Sequence, residues 1–280
     1  MTAQGKLAAV IGWPVRQSIS PVLHSHWLKE HGIKGAYVAL PIEPANFGRC
    51  VAAMPLMGFA GASVTVPHKE AAFALASSLD EDATATGAVN TLIFDGDRVA
   101  ALNTDVRGFT SSLSETLGVD AARKGPAAVL GAGGAARAVV LALQRAGSPE
   151  IRVINRTPAR SDALARSQAG SPVRAMAWGD WKAALSDVEL LVNTTSLGMT
   201  GKPALEIALD MLPGSAAVAD IVYNPLETDL LRVAKANGHR TMDGLGMLMH
   251  QAVPAFAAWF GVTPKVTHQL RAELERTLGG

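Results

Sequence analysis

The stretch Val129-Leu130-Gly131-Ala132-Gly133-Gly134-Ala135-Ala136-Arg137-Ala138 reads as a strand, a glycine turn and an alanine-rich helix. Gly131, Gly133 and Ala136 fit the spacing G-x-G-x-x-G/A. In that pattern the first glycine allows a tight turn and the second lets the backbone approach a pyrophosphate. The small third residue lets helix and strand pack closely. The unpaired N–H groups at the helix start then face the anion. Small residues at such a junction also serve packing alone, so the pattern takes its weight from the chain that follows.

The helix is predicted over residues 135–146 and stops at Gly147. Residues 151–154 read as a second buried strand. A chain that binds NAD usually carries Asp or Glu where this strand ends, to hold the ribose hydroxyls. Here the position reads Asn155-Arg156-Thr157, with Arg160 one helical turn on. A carboxylate would repel a 2′-phosphate, whereas two guanidiniums and a hydroxyl would bind it. The expected cofactor is therefore NADP. Thr157 also suits a helix N-cap with Pro158 in the first turn, a role compatible with phosphate binding.

The 280 residues suit one large domain or two modest ones. The chain is 49% hydrophobic and 18% charged with net charge +1, which gives no electrostatic case for nucleic acid or an anionic membrane. Its one cysteine, Cys50, excludes an intrachain disulfide and fits a reducing compartment. The apolar run at residues 7–11 ends at Gly12 and Pro14, too soon for a signal peptide or a membrane span. A cytoplasmic enzyme is the expectation.

Upstream, short strands alternate with helices. Strands are predicted over 7–11, 36–40 and 62–66. Helices are predicted from Ser20-Pro21 to Gly32, over 44–54 and from Pro67, with Ser20 as N-cap of the first. On that first helix Val22, Leu23, His26 and Trp27 share a face. Residues 89–94 and 98–102 flank Asp95-Gly96, a hairpin signal. Downstream, a helix is expected over 108–117, and strands near 173–176, 190–193, 216–221 and 240–242. Helices close the chain over 245–260 and 264–278. The expected architecture is two α/β domains with a cleft between them: a mixed-sheet substrate domain and a Rossmann-like NADP-binding domain. The last helices return to the first domain, so its expected extent is 1–105 plus 245–280, and the nucleotide domain is 106–244. A cleft between domains is where a small substrate would meet the nicotinamide.

Several strand ends carry polar residues that a fold does not require. Ser18 and Ser20, at a helix start, could hold a small carboxylate, though each also suits an ordinary cap or loop. Thr65 and Lys69 flank Val66-Pro67-His68. Asn90-Thr91 and Asn103-Thr104-Asp105 sit at the ends of the hairpin strands, and Asp105 also suits a helix cap.

Together these stretches resemble the shikimate dehydrogenases. The resemblance runs from Gly12 to Phe256. It rests on Ser18-Ile19-Ser20-Pro21, Val64-Thr65-Val66-Pro67-His68-Lys69, Gly87-Ala88-Val89-Asn90-Thr91, Asn103-Thr104-Asp105 and the glycine turn. It continues through Asn155-Arg156-Thr157, the run from Asn193 to Met199, the run from Asp220 to Pro225, and the run from Asp243 to Leu248. The resemblance implies reversible NADPH-dependent reduction of 3-dehydroshikimate to shikimate. It implies that Ser18, Ser20 and Thr65 hold the substrate carboxylate. Lys69, Asn90, Asp105 and Gln251 would hold the ring hydroxyls with Tyr223 nearby, and Lys69 and Asp105 would form the catalytic pair. It assigns the cofactor to Gly131, Ala132, Gly133, Gly134, Ala135, Asn155, Arg156, Thr157, Arg160, Thr195, Ser196, Ile221, Gly244 and Met247.

The chemistry agrees. Hydride delivery to a ketone puts negative charge on oxygen, so a proton donor is needed within reach, and an ammonium supplies proton and field together. His24, His26 and His68 show no metal-ligand spacing, and packing or hydrogen bonding suits them better; no metal is expected. Two positions depart from the family's usual pattern: Gln17 stands where it has histidine, and Ser63 where it has asparagine. Both leave a quinate/shikimate dehydrogenase of broader range open. A non-catalytic NADP-binding sensor would not need Lys69 and Asp105 together. A monomer or homodimer is expected, with a small-molecule substrate as partner.

Overall fold

A computed structural model of the chain describes residues 5–168 and 170–279. Two units are distinguished by their internal contacts. One runs up to Thr104 and resumes at Gln251; the other spans Asp105–His250.

The first unit is built from β1 (Lys6–Gly12), α1 (Ser20–Glu30), β2 (Gly35–Pro41), α2 (Phe47–Ala53), β3 (Phe59–Val64), α3 (Lys69–Leu75), β4 (Ser78–Leu79), α4 (Glu81–Thr86), β5 (Thr91–Asp95) and β6 (Arg98–Leu102). Its sheet has the order β2-β1-β3-β5-β6-β4. β1 is parallel to β2 and β3, while β5 is antiparallel to β3 and β6, so the sheet is mixed as expected. The Asp95-Gly96 hairpin forms, with Asp95 opposite Arg98. One sheet face buries Ala9, Ile11, Ala62, Val64 and Leu92 against Phe47, Val51 and Ala72. On the other face Tyr37 stacks on His24.

Several boundaries differ from those expected, for local reasons. α1 already includes Ser20, and Ile19 is its cap residue. Ser18 closes a turn through its N–H to the Val15 carbonyl, and its hydroxyl accepts from the Ser20 N–H at 3.3 Å. Pro67 does not begin a helix: the His68 N–H closes a turn onto Thr65, and α3 starts at Lys69. The 44–54 segment divides into a 3₁₀ turn, Pro44–Asn46, and α2. α4 was not expected. Asp80 caps it by accepting from the Ala83 N–H at 2.7 Å.

The second unit contains α5 (Asp105–Leu117), β7 (Ala127–Leu130), α6 (Gly134–Arg145), β8 (Ile151–Asn155), α7 (Pro158–Ser167), β9 (Val173–Ala177), α8 (Trp181–Leu185), β10 (Leu190–Asn193), β11 (Ala217–Asp220), α9 (Asp229–Ala236) and β12 (Arg240–Met242). Its six strands are all parallel in the order β12-β11-β10-β7-β8-β9, the doubly wound dinucleotide-binding arrangement. β7, β10 and β11 are buried throughout, as strands covered on both faces must be, and apolar except for Asn193 and Asp220 at the ends of β10 and β11. Ala127 and Val129 pack with Phe109 and Val139 on one side; Ala128 and Leu130 pack with Leu185, Leu230 and Ala234 on the other. α10 (Gly244–Phe260) is shared, the division falling between His250 and Gln251. The last helix, α11 (His268–Gly279), starts later than expected. Thr267 caps it through the Leu270 N–H, and Pro264 lies in the irregular lead-in.

The inner face of α1 is Leu23, His24, Trp27 and Leu28, not the face containing His26, which pairs instead with Glu273 at 2.6 Å. His24 is fully buried, 3.9 Å from Tyr37 between ring centroids. Neither of its nitrogens has a hydrogen-bond partner among the described residues. Burial holds its pKa down to about 3, from 6.5. Below pH 6.5 the unfolded chain therefore takes up a proton that the fold refuses, and stability falls as the pH drops from 6.5 toward 3. By pH 5 the loss is about 2 kcal/mol. His24→Leu is expected to shrink the stability difference between pH 8 and pH 5 by about that amount, measured by urea melts at both pH values. An unaltered difference would mean that the imidazole is not what makes the fold acid-sensitive.

Candidate active site

Gly131 follows β7 with φ +108°, a conformation open to glycine. A Cβ there would also sit 2.7 Å from the Thr194 hydroxyl. Thr194 follows β10 and donates to the Leu130 carbonyl from both its N–H, at 2.9 Å, and its hydroxyl, at 2.6 Å. The ends of β7 and β10 are thus laced together. The strand order reverses between them, and ligands of such sheets bind outside the carboxyl ends at that point. Gly133, the cap residue of α6, brings no side chain to the first N–H groups of the helix, so those of Gly134 and Ala135 have no side-chain cap to compete with an anion. Ala136 is buried in the core beneath. Ala132 is buried in the turn.

At the end of β8 the Asn155 amide closes the loop by donating to the Thr157 carbonyl at 2.8 Å. Arg156, Thr157 and Arg160 are exposed, and neither guanidinium has a carboxylate partner among the described residues. Thr157 is the cap residue of α7, but its hydroxyl makes no cap bond and stays available. The residues fit a dinucleotide carrying a 2′-phosphate: a cradle that excludes a Cβ, an uncapped helix start and two unpaired cations.

The remaining cofactor candidates are dispersed around the same sheet end. Thr195 and Ser196 follow β10, the second of them exposed; Ile221 follows β11. Gly244 opens α10 and bonds the Val222 carbonyl. Met247 is packed in the core of this unit. Tyr223 is half-buried in the loop after β11.

In the first unit Ser18 donates to the Ser20 hydroxyl at 3.1 Å at the start of α1. Thr65 and Lys69, both half-buried, follow the end of β3. The strongest grouping surrounds Asn90. Its Oδ1 accepts from the Thr104 N–H at 2.8 Å and from the Thr91 and Thr104 hydroxyls. The Thr104 N–H, which can only donate, fixes how the amide is turned. Asn90 Nδ2 then donates to Thr104 Oγ1 and, at 3.2 Å, to Gln251 Oε1. The residue before Asn90 bonds the Lys69 carbonyl through the Val89 N–H, and Asp105 directly follows Thr104. Lys69 is therefore tied to the Asn90 segment through the backbone, and Gln251 joins it through its side chain.

Ser63 is buried and accepts from the Tyr37 hydroxyl at 2.8 Å, while Gln17 is exposed in the turn before α1. His68 bonds the Ile42 carbonyl and stacks on Phe47. Among the described residues no group of three or more His, Cys, Asp or Glu is placed to hold a metal ion. No helix among them is long and apolar enough to cross a membrane. Thr104, Asn193 and Asp220 have no separate role in the sequence reading, although each lies in a quoted motif. The bonds that join Thr104 to Asn90 and Asn193 to Asp220 cross between distant stretches and are invisible to spacing.

Two family models match the chain: the shikimate dehydrogenase substrate binding domain over residues 10–92, and shikimate / quinate 5-dehydrogenase over residues 116–222. The shikimate dehydrogenase (NADP(+)) of Paramagnetospirillum magneticum is 51% identical over 273 residues, 97% of this chain and 99% of the relative. The shikimate 5-dehydrogenase of Thermus thermophilus, solved with NADP(H) and shikimate, superposes with a TM-score of 0.85 at 36% identity, covering 99% of each chain. The quinate dehydrogenase of Corynebacterium glutamicum, solved with NAD, gives 0.87 at 30% identity, covering 96% of this chain and 98% of that one.

Proposed function

The chain belongs to the shikimate dehydrogenase family, and on that premise we propose how its residues divide the work of the family's reaction. The enzyme catalyses the reversible NADP-dependent reduction of 3-dehydroshikimate to shikimate. Residues 1–105 with 245–280 form the substrate domain and 106–244 the NADP domain, Met247 being the one cofactor residue that lies beyond that boundary. The observation that carries the catalytic assignment is the Asn90–Thr104–Gln251 network, which joins the backbone of Lys69 to that of Asp105.

Bound NADPH supplies the hydride. Lys69 donates the proton that the new alkoxide needs, and its ammonium stabilises the charge as it develops. Asp105 orients the ammonium; in the reverse direction the same pair removes the hydroxyl proton. Ser18, Ser20 and Thr65 hold the substrate carboxylate through their hydroxyls. Asn90 and Gln251 hold the ring hydroxyls, with Tyr223 nearby. Gly131, Ala132, Gly133, Gly134 and Ala135 cradle the pyrophosphate. Asn155, Arg156, Thr157 and Arg160 hold the 2′-phosphate. Thr195, Ser196, Ile221, Gly244 and Met247 complete the cofactor site. The enzyme acts in the cytoplasm as a monomer or homodimer and takes no nucleic acid. Its near-neutral charge and single cysteine support that reading.

Production of NADPH from shikimate or quinate, compared with NADH production when NAD is supplied, tests the assignment. Shikimate with NADP should turn over fastest. Fastest turnover of quinate with NAD would overturn it. Arg156→Ala separately tests the cofactor contact. Hydrogen bonds to a charged group are worth about 1.5–3 kcal/mol, so NADP affinity should fall from about tenfold to beyond a hundredfold. NAD affinity should stay almost unchanged. Equal losses for both dinucleotides would reject the 2′-phosphate contact.

A further inference from the structure

Asn193 and Asp220 are the last residues of β10 and β11, paired side by side in the parallel register. Both are fully buried. The Asn193 amide donates to Asp220 Oδ1 at 3.0 Å. From that bond each side chain holds the loop after its own strand. Asn193 Oδ1 accepts from the Thr195 N–H at 3.0 Å and the Thr195 hydroxyl at 2.8 Å, and its Nδ2 also reaches the Leu197 carbonyl at 3.3 Å. Asp220 Oδ1 accepts from the Val222 N–H at 3.0 Å, and Oδ2 accepts from the Thr228 hydroxyl at 2.7 Å. Thr228 in turn caps α9.

We propose that Asp220 and Asn193 are positioning residues: their carboxylate–amide pair sets the two loops that hold the nicotinamide half of NADP. The proposal rests on the assignment of Thr195, Ser196 and Ile221 to the cofactor made above. Three observations support it. Asn193 is saturated, with two bonds accepted and two given, so it has one orientation. Asp220 takes three hydrogen bonds, all from neutral groups, and no ion pair engages it among the described residues. Burial pushes its carboxyl up to about 6. A buried carboxylate without a cation burdens a fold, and strand ends of this kind can be closed by apolar side chains. What a carboxylate offers here is geometry, because it accepts from several directions and brings no donor of its own. Both gripped loops lie at the carboxyl end of the parallel sheet, where the dinucleotide belongs.

The test compares binding of NADP+ with that of 2′-phospho-ADP-ribose, which lacks the nicotinamide, by calorimetry on the full chain. In folded Asp220→Leu and Asn193→Leu the NADP+ dissociation constant should rise about 10–100-fold, equal to about 1.4–2.8 kcal/mol of lost contacts. The affinity for 2′-phospho-ADP-ribose should stay within about twofold, because the Asn155–Arg160 loop is untouched. Asp220→Asn keeps the acceptor facing Asn193 and Val222 and should bind NADP+ within about fivefold of wild type. A folded leucine variant with lowered melting temperature and unchanged NADP+ affinity would overturn the proposal, since that is what a purely structural role gives. If the leucine variants do not fold, Asn193→Ser and Asp220→Ser replace them with the same two ligands; selective loss of NADP+ affinity is expected, and unchanged NADP+ affinity in a folded variant would overturn the proposal equally. Wild-type protein that fails to bind NADP+ would instead refute the cofactor assignment beneath it.

Discussion

Lys69→Ala is expected to lower kcat for shikimate oxidation by about 10²–10⁴-fold, the usual worth of a positioned acid–base group, while NADP+ still binds. The variant should fold. Lys69 is half-buried at the first position of α3, and the bond it makes to the Val89 N–H comes from its backbone carbonyl, which alanine retains. Alanine is also the better helix former in that place. The loss should therefore appear in turnover and not in melting temperature. Asp105→Asn should also be slow, and the double variant no worse than the poorer single, because groups acting as a unit are not additive. Steady-state rates at saturating NADP+, paired with NADP+ titrations, decide the matter. Substantial activity in Lys69→Ala at neutral pH would remove the role from Lys69 and move suspicion to Tyr223 or a bound water.

The second unit was largely legible because its strands are covered on both faces. β7 is a short apolar run, β10 and β11 are apolar up to their last residues, and the glycine turn after β7 marks the cofactor end of the sheet. Where element boundaries differ from those the sequence predicts, the cause is a bond between residues that sequence does not pair. The start of α1 depends on the Ser18 N–H reaching Val15, and the start of α3 on the His68 N–H reaching Thr65. β4 has only two residues and α4 is polar, so neither shows an apolar period. α9 was legible in principle, since Thr228-Asp229-Leu230-Leu231 carries a cap, an acid in the first turn and a buried pair. In the site, single polar residues at strand ends could be picked out one by one. Their grouping could not: Asn90 and Gln251 are 161 positions apart, and Asn193 meets Asp220 only because β10 and β11 are neighbours. The face of α1 read from the sequence includes His26 and leaves out His24 for a related reason. A helical wheel shows which residues share a face, but the ring of Tyr37 determines which face turns inward.

Gly61→Ala is expected to destabilise the fold by about 3–5 kcal/mol, more than ordinary overpacking because two obstacles act together. Gly61 lies in β3 just after an irregularity: Leu7 pairs with Phe59 but Ala8 with Gly61, so Ala60 has no counterpart on β1. A glycine in a strand often marks such a bulge or a close backbone approach, and here it marks both. A Cβ at Gly61 would collide with the Leu92 carbonyl oxygen on β5, which is backbone held in the sheet. The indole nitrogen of Trp259 would crowd it as well, and that N–H donates to the same carbonyl at 2.8 Å. Trp259 is 1% exposed and cannot swing into solvent. A methyl group therefore has to break the indole hydrogen bond and part β3 from β5. Urea melts of Gly61→Ala should show the loss, and Trp259→Leu in the same chain should relieve only part of it, because the carbonyl stays. A loss below about 1 kcal/mol would mean that β3 can shift along β5 without strain, against the packing limits of a close-fitted interior. The folded fraction also carries a functional reading. β3 bears Ser63 and leads into Thr65 and Lys69, so a displaced strand should raise KM for shikimate in Gly61→Ala while NADP+ affinity, set in the other unit, stays as it was.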